Sequence, residues 1–285
     1  MKEKIKLILA DLAYRYHRSG NKIRVMTIDE TLDELLRTEK SLVRFGDGEI
    51  VMIRGKSLYF QKQMPELTRR LAEILEYREE GLMVAIPDIF SGLSQYRKSG
   101  QQFWKDHLLF FSGVYRQHCN REKIYGNAYV SRPYFNFADQ SQSAGWFAKI
   151  RMLWEGKDVV VVEGAGTHNG AGNDLLDGAA RVRRILCPAQ NAGEKLEKIR
   201  NACLEMPRDC LYLLSLGPAA KLLTEDLFHS GRRVIDIGNL DMEYEWFLRG
   251  AQEKVKLEKH SVFGKQANLK SGYERYWQEV IKIIE

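Results

Sequence analysis

Two carboxylates placed two residues apart are the most informative chemical feature of the sequence. Asp47 and Glu49 are separated by Gly48 and directly follow the apolar run Ser41–Phe45 and one further glycine. In an extended segment, residues i and i+2 point to the same side, so both carboxylates are expected to reach one hard cation. Mg²⁺ and Mn²⁺ prefer such oxygen ligands and often also hold substrate phosphates. The pattern indicates a metal site, although an acidic turn that merely faces solvent has the same composition.

A glycine-rich loop follows a second apolar run, Asp158–Val162. Its backbone N–H groups at Gly164 and Gly166 are candidates for contact with a phosphate, because residues without a Cβ allow close approach. His168 lies in the same loop and is a candidate for contact with a phosphate or a sugar. The loop therefore adds a candidate substrate-binding segment to the acidic turn.

The spacing of this loop argues against two common nucleotide-binding classes. Its glycines follow G-x-G-x-x-x-G rather than the dinucleotide pattern, and the next strand ends at Cys187-Pro188 without the acid that would hold a ribose. A dehydrogenase is therefore disfavoured. A Walker loop is excluded because Gly-Lys-Ser/Thr is absent from the loop. Asn173 and Asp174 complete the set of polar candidates, and both also fit the cap of a following helix.

Two further turns come directly after apolar, strand-like runs. Gly217-Pro218 begins a helix, where exposed N–H groups and the helix dipole favour an anion. Asp241, Glu243 and Glu245 follow the last such run. They are candidates for a general base or for further metal ligands. Acids are also electrostatically favoured in any first helical turn, so a structural role stays open.

The composition narrows the class of protein. The chain has 285 residues, a formal charge of +6 and 44% hydrophobic residues, enough for a sizeable core. A nucleic-acid binder is disfavoured because basic and acidic residues are interleaved instead of forming a basic stripe. The four cysteines lack zinc spacing and indicate a reducing compartment. Because the longest apolar runs fall short of the roughly 18 residues a membrane span needs, we expect a cytoplasmic protein. Peripheral contact with a membrane remains compatible with the positive charge.

Short apolar runs alternate with helical patterns through most of the chain, which predicts one α/β domain with a parallel sheet covered on both faces. Thr27 to Glu30 forms a capping box that begins a helix, and Pro65 begins another. A short helix is expected from Asp174. Near the N-terminus, a helical stripe of apolar residues is formed by Ile5, Ile8, Leu9, Leu12 and Tyr16. The predicted strands are Ser41–Phe45, Leu82–Ile86, Asp158–Val162, Arg184–Cys187, Leu211–Ser215 and Arg233–Ile237.

Eight short motifs occur in the order seen in the glycosyltransferases with a GT-D fold, a bacterial family that was long a domain of unknown function. They are Arg44 to Glu49, Ile86-Pro87-Asp88, Ser131 to Tyr134, Val162-Glu163-Gly164, Gly172 to Leu175, Leu186 to Ala189, Leu216-Gly217-Pro218, and Asp236 to Gly238 with Glu243 to Phe247. The chain resembles this family from about Thr27 to about Leu248. The resemblance implies a Rossmann-like α/β fold and transfer of a sugar from a nucleotide-sugar, typically a UDP-sugar, with a divalent metal.

The resemblance also assigns roles to residues. The family's D-x-E motif matches Asp47-Gly48-Glu49, which would hold Mn²⁺ or Mg²⁺ against the donor diphosphate. The base that takes the acceptor's proton is sought among Asp241, Glu243 and Glu245. His168 stands where the family often has an arginine, so charge compensation of the diphosphate could differ here. The expected substrate-binding residues are Arg44, Gly46, Gly48, Arg132, Gly164, Gly166, His168, Asn173, Asp174 and Gly217.

The expected arrangement is an N-terminal helix and lead-in over residues 1–26, a glycosyltransferase domain over 27–255, and a C-terminal extension over 256–285 packed on that domain. The implied partners are a nucleotide-sugar donor, UDP-glucose being one candidate, and a glycan or glycoprotein acceptor in surface polysaccharide or adhesin glycosylation. Three other functions stay open: a nucleotide-sugar hydrolase, another phosphate-handling transferase, and a non-catalytic nucleotide-binding module.

Overall fold

One parallel sheet organises the computed structural model, which describes residues 2–20, 23–260 and 273–285. Within these ranges the strand order is β1-β4-β3-β2-β8-β7-β5-β6-β9, and every pairing is parallel. The strands are β1 (Arg24–Val25), β2 (Ser41–Arg44), β3 (Leu82–Ile86), β4 (Ile124–Asn127), β5 (Asp158–Gly164), β6 (Arg181–Cys187), β7 (Leu211–Ser215), β8 (Arg233–Asp236) and β9 (Val280–Ile283).

Helices connect the strands and cover both faces of the sheet. They are α1 (Lys2–Gly20), α2 (Ile28–Arg37), α3 (Asp47–Ile53), α4 (Pro65–Glu76), α5 (Lys98–His118), α6 (Ser143–Met152), α7 (Leu196–Leu204), α8 (Ala219–His229), α9 (Leu240–Leu248) and α10 (Glu274–Glu279). Alternate residues of β5 lie in different apolar clusters: Val159 and Val161 in one, Val160 and Val162 in the other. This alternation confirms the predicted sheet with a core on each side.

The strand order reverses where β2 lies next to β8. After β2, the strands β3 and β4 are added on one side of it, and the later strands β5 to β8 lie on its other side, with β8 next to β2. In open parallel sheets, ligands bind beyond the carboxyl ends of the strands at such a reversal. The turn that begins α3 follows β2, and the turn that begins α9 follows β8. The topology therefore brings two of the acidic candidate segments to the same edge of the sheet.

Two local predictions are wrong. The Asp47–Glu49 segment belongs to α3 and is not extended. Residues 173–180 form turns and bends rather than the short helix expected from Asp174, because Asn173 and Asp174 are bonded to other elements. The capping box at Thr27 and the helix start at Pro65 are confirmed. No helix in the described ranges is both long and apolar enough to cross a membrane.

Candidate functional site

The two acids of the D-x-E motif lie in the first turn of α3. Gly46 occupies the N-cap position, and the Glu49 carboxylate accepts a hydrogen bond of 2.8 Å from the Gly46 N–H. Residues i and i+2 are about 200° apart around a helix axis, so the two side chains do not share a face. An acid at the third helical position is a recognised start signal. That signal in the sequence favoured the helix over the extended segment.

Glu49 is buried in a network of charges beneath the sheet edge. Its second oxygen lies 3.1 Å from the Lys221 ammonium, which lies 3.1 Å from Asp236 as well. Arg44 pairs with Asp236 at 3.0 Å and donates to the carbonyl oxygens of Asp236 and Ala128. Burial opposes ionisation of Asp236, but the charges of Arg44 and Lys221 outweigh it and lower the pKa of Asp236. Arg44 therefore ties β2 to β8, instead of pointing towards a ligand.

Asp47 has a different environment from Glu49. Its side chain is exposed, and in the described part of the chain it forms no ion pair with another side chain. Surrounding protein and the charge of Glu49 raise the pKa of Asp47, while Arg132 and the N–H groups of its own turn oppose the rise. The result is an accessible carboxylate whose negative charge is incompletely compensated. Such a group favours a cation from solution.

Glu243, in the first helical turn after β8, is a buried acid with one free oxygen. One carboxylate oxygen accepts from the Phe135 N–H at 2.9 Å, and the other has no hydrogen-bond partner among the described residues. Burial raises the pKa of Glu243, and the charge of Arg132 opposes the rise. The charge of Arg132 thus opposes the rise in the pKa of both Asp47 and Glu243. The structure therefore gathers the acidic turn, Arg132 and Glu243 into one electrostatic cluster.

Asp241 and Glu245 face a second cluster, formed with the glycine-rich loop. Asp241 is fully buried and accepts from Gly170 N–H at 2.7 Å and from Asn173 at 2.9 Å. Lys259 and His260 lie 2.8 Å and 2.6 Å from its other oxygen. Burial opposes ionisation, but His260 and Lys259 lower the pKa of Asp241 to about 2. A carboxylate held by four donors is a weak proton acceptor.

Glu245 completes this second cluster. It accepts from Asn173 at 2.7 Å and pairs with Lys259 at 2.8 Å and with Arg249 at 3.1 Å. Asn173 therefore bridges Glu245 and Asp241. Together these contacts join the loop, α9 and the segment over residues 251–260.

His168 and Asp174 also form hydrogen bonds within the protein. His168 is buried in a left-handed conformation with φ +50°, and its Nδ1 lies 2.6 Å from the Lys259 carbonyl oxygen. Asp174 accepts from Tyr244 and Arg151, each at 2.7 Å. Gly164 is the last residue of β5, and the N–H of the residue that follows it bonds to the Cys187 carbonyl oxygen at 2.7 Å. These contacts position the loop beside β6.

Gly217 begins the turn before α8, and an aromatic side chain covers it. The residue has φ +55°, and a Cβ placed there would lie 2.7 Å from the Phe60 ring. The Phe60 carbonyl oxygen accepts from the Asn191 N–H at 2.8 Å, which fixes the covering loop to the turn after β6. The helix start at Gly217 is therefore shielded by protein.

Several charged partners were missed from the sequence. Lys221, Lys259 and His260 each contact one of the predicted acids. Asp236 pairs with Lys221 and Arg44, and Arg184 pairs with buried Glu163 at 2.9 Å. Asp236 is an acid at the carboxyl end of β8, and this position at the end of an apolar run is a signal that is visible in the sequence. Lys221 lies within a helix of ordinary composition and offered no such signal.

The profile of the family described as "Glycosyltransferase GT-D fold" matches residues 42–265 of the chain. This range includes the acidic turn, Arg132, the glycine-rich loop and α9. The chain belongs to the GT-D family of glycosyltransferases.

Curated relatives agree with this assignment to the GT-D family. The "Probable glycosyl transferase Gly" of Streptococcus gordonii is 46% identical over 84% of the chain and 35% of its own length. "Glycosyltransferase GlyD" of Streptococcus pneumoniae is 40% identical over 84% of the chain and 30% of its own length. The chain thus spans about a third of the length of the curated relatives it matches.

Solved structures give the same GT-D fold. "A New Glycosyltransferase (DUF1792) from Streptococcus sanguinis" is 42% identical, with a TM-score of 0.89 over 92% of this chain and 100% of that one. A second, titled "The highly conserved domain of unknown function 1792 has a distinct glycosyltransferase fold", is 35% identical, with a TM-score of 0.91 over 97% of this chain and 100% of that one.

The GT-D site can be tested for its fit to a metal ion. Within residues 2–20, 23–260 and 273–285, no three His, Cys, Asp or Glu side chains gather as a ready-made metal cage. Mg²⁺ commonly keeps several waters and binds through one or two carboxylates together with substrate phosphates. Exposed Asp47 fits that mode as a single carboxylate, whereas Glu49 is buried and paired with Lys221. The residues therefore fit an ion that arrives with its substrate.

Proposed function

We propose that the chain transfers a sugar from a nucleotide-sugar to a hydroxyl group of an acceptor, with a divalent metal bound at Asp47. The observation that carries the proposal is that the turns after β2 and β8 lie at one edge of the sheet, which brings exposed Asp47 and the unpartnered Glu243 oxygen to that edge, where the charge of Arg132 acts on both. Membership of the GT-D family and the names of the curated relatives support the choice of glycosyl transfer. The proposed donor is UDP-linked, with UDP-glucose as one candidate, and the proposed acceptor is a glycan or glycoprotein of surface polysaccharide or adhesin glycosylation.

Asp47 would hold Mn²⁺ or Mg²⁺ together with the donor diphosphate, while Glu49, buried and paired with Lys221, keeps the turn in place. The ion, when bound, offsets negative charge that builds on the leaving nucleotide phosphate. Arg132, whose charge acts on both Asp47 and Glu243, is the proposed cation for the diphosphate of the donor. Lys221 holds Glu49 in place, and Arg44 holds β8 through Asp236.

Glu243 is the proposed acceptor of the proton from the attacking hydroxyl. Its buried, unpartnered oxygen can accept a hydrogen bond from that hydroxyl, and its raised pKa makes it a stronger base than an ordinary glutamate. Asp241 is a poorer choice, because four donors hold its charge and lower its pKa to about 2. Asp241 and Glu245 instead hold the glycine-rich loop beside α9.

The test is product analysis with a panel of UDP-sugars, each incubated with and without a glycan acceptor and with and without Mn²⁺. The proposal expects nucleotide release that depends on metal and rises with acceptor, together with a glycosylated product. Release that is independent of acceptor, with free sugar as product, would instead assign hydrolysis. Donor binding without any turnover would assign a non-catalytic nucleotide-binding module.

A further inference from the structure

The stripe of apolar residues seen in the N-terminal sequence faces away from the protein. Ile5, Ile8, Leu9, Leu12 and Tyr16 are each between 50% and 67% exposed. The opposite side of α1 carries the buried residues Ala10 and Tyr14, and α1 packs along α5. The helix therefore has two apolar faces, of which one belongs to the fold and the other meets solvent. A continuous apolar face that is exposed along a whole helix indicates an interaction surface.

Exposed apolar side chains are concentrated in this region of the surface. Of the sixteen large hydrophobic residues that are exposed in the described ranges, six lie on α1 and two, Phe103 and Phe110, lie on α5. The remaining eight are scattered over the strand edges, loops and helix ends. Scattered apolar residues need no explanation, whereas a helix that exposes six does.

The charge of the same helix selects the class of partner. The sequence of α1 has five Lys and Arg residues against two Asp and Glu residues, a formal charge of +3 in a chain of +6. Asp11 is paired with Lys105 at 2.7 Å and Lys6 with Asp106 at 2.8 Å, so these two contacts with α5 cancel and leave the charge balance of the helix positive. Arg15 is exposed in the same turn as Leu12 and Tyr16. A helix with an exposed apolar face and a positive charge matches an anionic lipid surface.

We propose that α1 lies in the plane of an anionic membrane surface, with the Ile5–Tyr16 stripe inserted between headgroups and its basic residues beside them. The helix has 19 residues and is about 28 Å long, enough to rest on a bilayer by shallow insertion. A second copy of the chain would bring two positively charged α1 helices together, whereas anionic headgroups offset that charge. This comparison favours the lipid surface over a second copy of the chain.

The test is sedimentation of the 285-residue chain with vesicles of phosphatidylcholine alone and of phosphatidylcholine mixed with phosphatidylglycerol. The chain is expected to sediment with the anionic vesicles and to be released by high salt. Ile8→Glu combined with Leu12→Glu should weaken this binding by roughly 100-fold, because two apolar side chains no longer enter the lipid. Arg15→Glu should weaken it by about tenfold on anionic vesicles.

The matched control is Met152→Glu combined with Leu248→Glu, two exposed apolar positions outside α1. This variant should bind vesicles as the native chain does, and thermal melting should show that both double variants remain folded. Failure of the native chain to bind anionic vesicles, or equal binding by the Ile8→Glu and Leu12→Glu variant, overturns the proposal. A dimer in analytical ultracentrifugation that this variant dissociates would assign the face to a second copy instead. The readout does not involve sugar transfer, so it is independent of the proposed function.

Discussion

Asp47 and Glu49 form one sequence motif but occupy two different environments. Glu49 is buried, caps α3 and pairs with Lys221. Asp47 is exposed, and its pKa is raised by surrounding protein and by the charge of Glu49. Glu49 therefore stabilises the turn, whereas Asp47 presents its charge to the solution.

Asp47→Asn should abolish metal-dependent transfer and raise the thermal stability of the protein at neutral pH. An acid whose pKa is raised on folding destabilises the folded state above its ordinary pKa, most fully once pH exceeds the folded pKa, and has no effect at lower pH, where it is protonated in both states. The gain in melting temperature should therefore shrink as pH falls below the ordinary aspartate range. Melting curves of the native chain and the variant between about pH 3 and pH 8, the range in which carboxylates titrate, measure this effect. A variant that is less stable at neutral pH would contradict the assigned environment.

Glu243→Gln should lower kcat for transfer by roughly 100-fold or more, while the affinity for the donor stays unchanged. The native rate should rise with pH along a limb whose midpoint lies above the usual glutamate pKa, because burial raises the pKa of Glu243 and the base must be ionised. The limb should be absent from the variant. Transfer kinetics across pH check this, with donor binding measured by calorimetry. An unchanged kcat would remove Glu243 from the mechanism.

For single residues, candidate site residues could be predicted from the sequence, but their contact partners could not. The acidic motif, Arg132 and Glu243 were found from type and order along the chain. The local conformation at Asp47 was missed because the i, i+2 argument was given more weight than the capping signal of Glu49. Lys221 was missed as the partner of Glu49, and Asp236 as the partner of Lys221, because these contacts arise only when α8 and β8 are packed beside β2.

At the scale of elements, Asp241 joins three of them. It binds the glycine-rich loop through Gly170 and Asn173, and the segment after α9 through Lys259 and His260. The sequence indicated that this loop and α9 lie at the same edge. The segment over residues 251–260 carries no regular element and offered no pattern from which its contact with Asp241 could be predicted.

Asp241→Asn should lower the free energy of unfolding by about 3–5 kcal/mol at neutral pH, because Lys259 and His260 lose a buried counter-charge. The pKa of Asp241 is lowered to about 2 on folding. Its contribution is therefore present above the unfolded pKa and is lost as pH falls towards 2. Asp174→Asn is the matched control, since Asp174 is half exposed and should cost less than about 1 kcal/mol. Urea denaturation compares the two, and equal costs would contradict the role of Asp241.

The edge strand β9 is tied to the sheet by buried charges. Arg184 on β6 pairs with Glu163 at 2.9 Å and with Glu279 at 2.8 Å, and its guanidinium lies 4.3 Å from the centre of the Tyr276 ring. Tyr276 also donates to Glu163 at 3.0 Å. From the sequence we expected the C-terminal residues to pack on the domain, but we predicted no strand there, because Val280–Ile283 is short and follows a helical pattern.

Arg184→Met should lower the free energy of unfolding by about 3–5 kcal/mol, because Glu163 would remain buried without its cation. Arg275→Met is the matched control: Arg275 also pairs with Glu279 but is exposed, so its loss should cost less than about 1 kcal/mol. Denaturation with urea measures both variants. A small loss for Arg184→Met would show that Glu163 is stabilised by its other donors.

At the scale of the whole molecule, the reversal of strand order explains why the site lies where it does. Adjacent strands β2 and β8 send the acidic turn and α9 to one edge of the sheet. The alternation of apolar strands and helices was sufficient to predict a parallel α/β domain. It was insufficient for β1 and β4, which are two and four residues long, because strands this short leave little periodic signal.

The most direct test of the account is a crystal structure of the chain soaked with UDP and Mn²⁺, with the ion located by its anomalous signal. The account predicts a manganese peak bonded to the Asp47 carboxylate and to diphosphate oxygens, with Arg132 beside the diphosphate. Asp47→Asn crystals soaked in the same way should lack the peak. Manganese bound at another place, with Asp47 still facing solvent, would contradict the central claim.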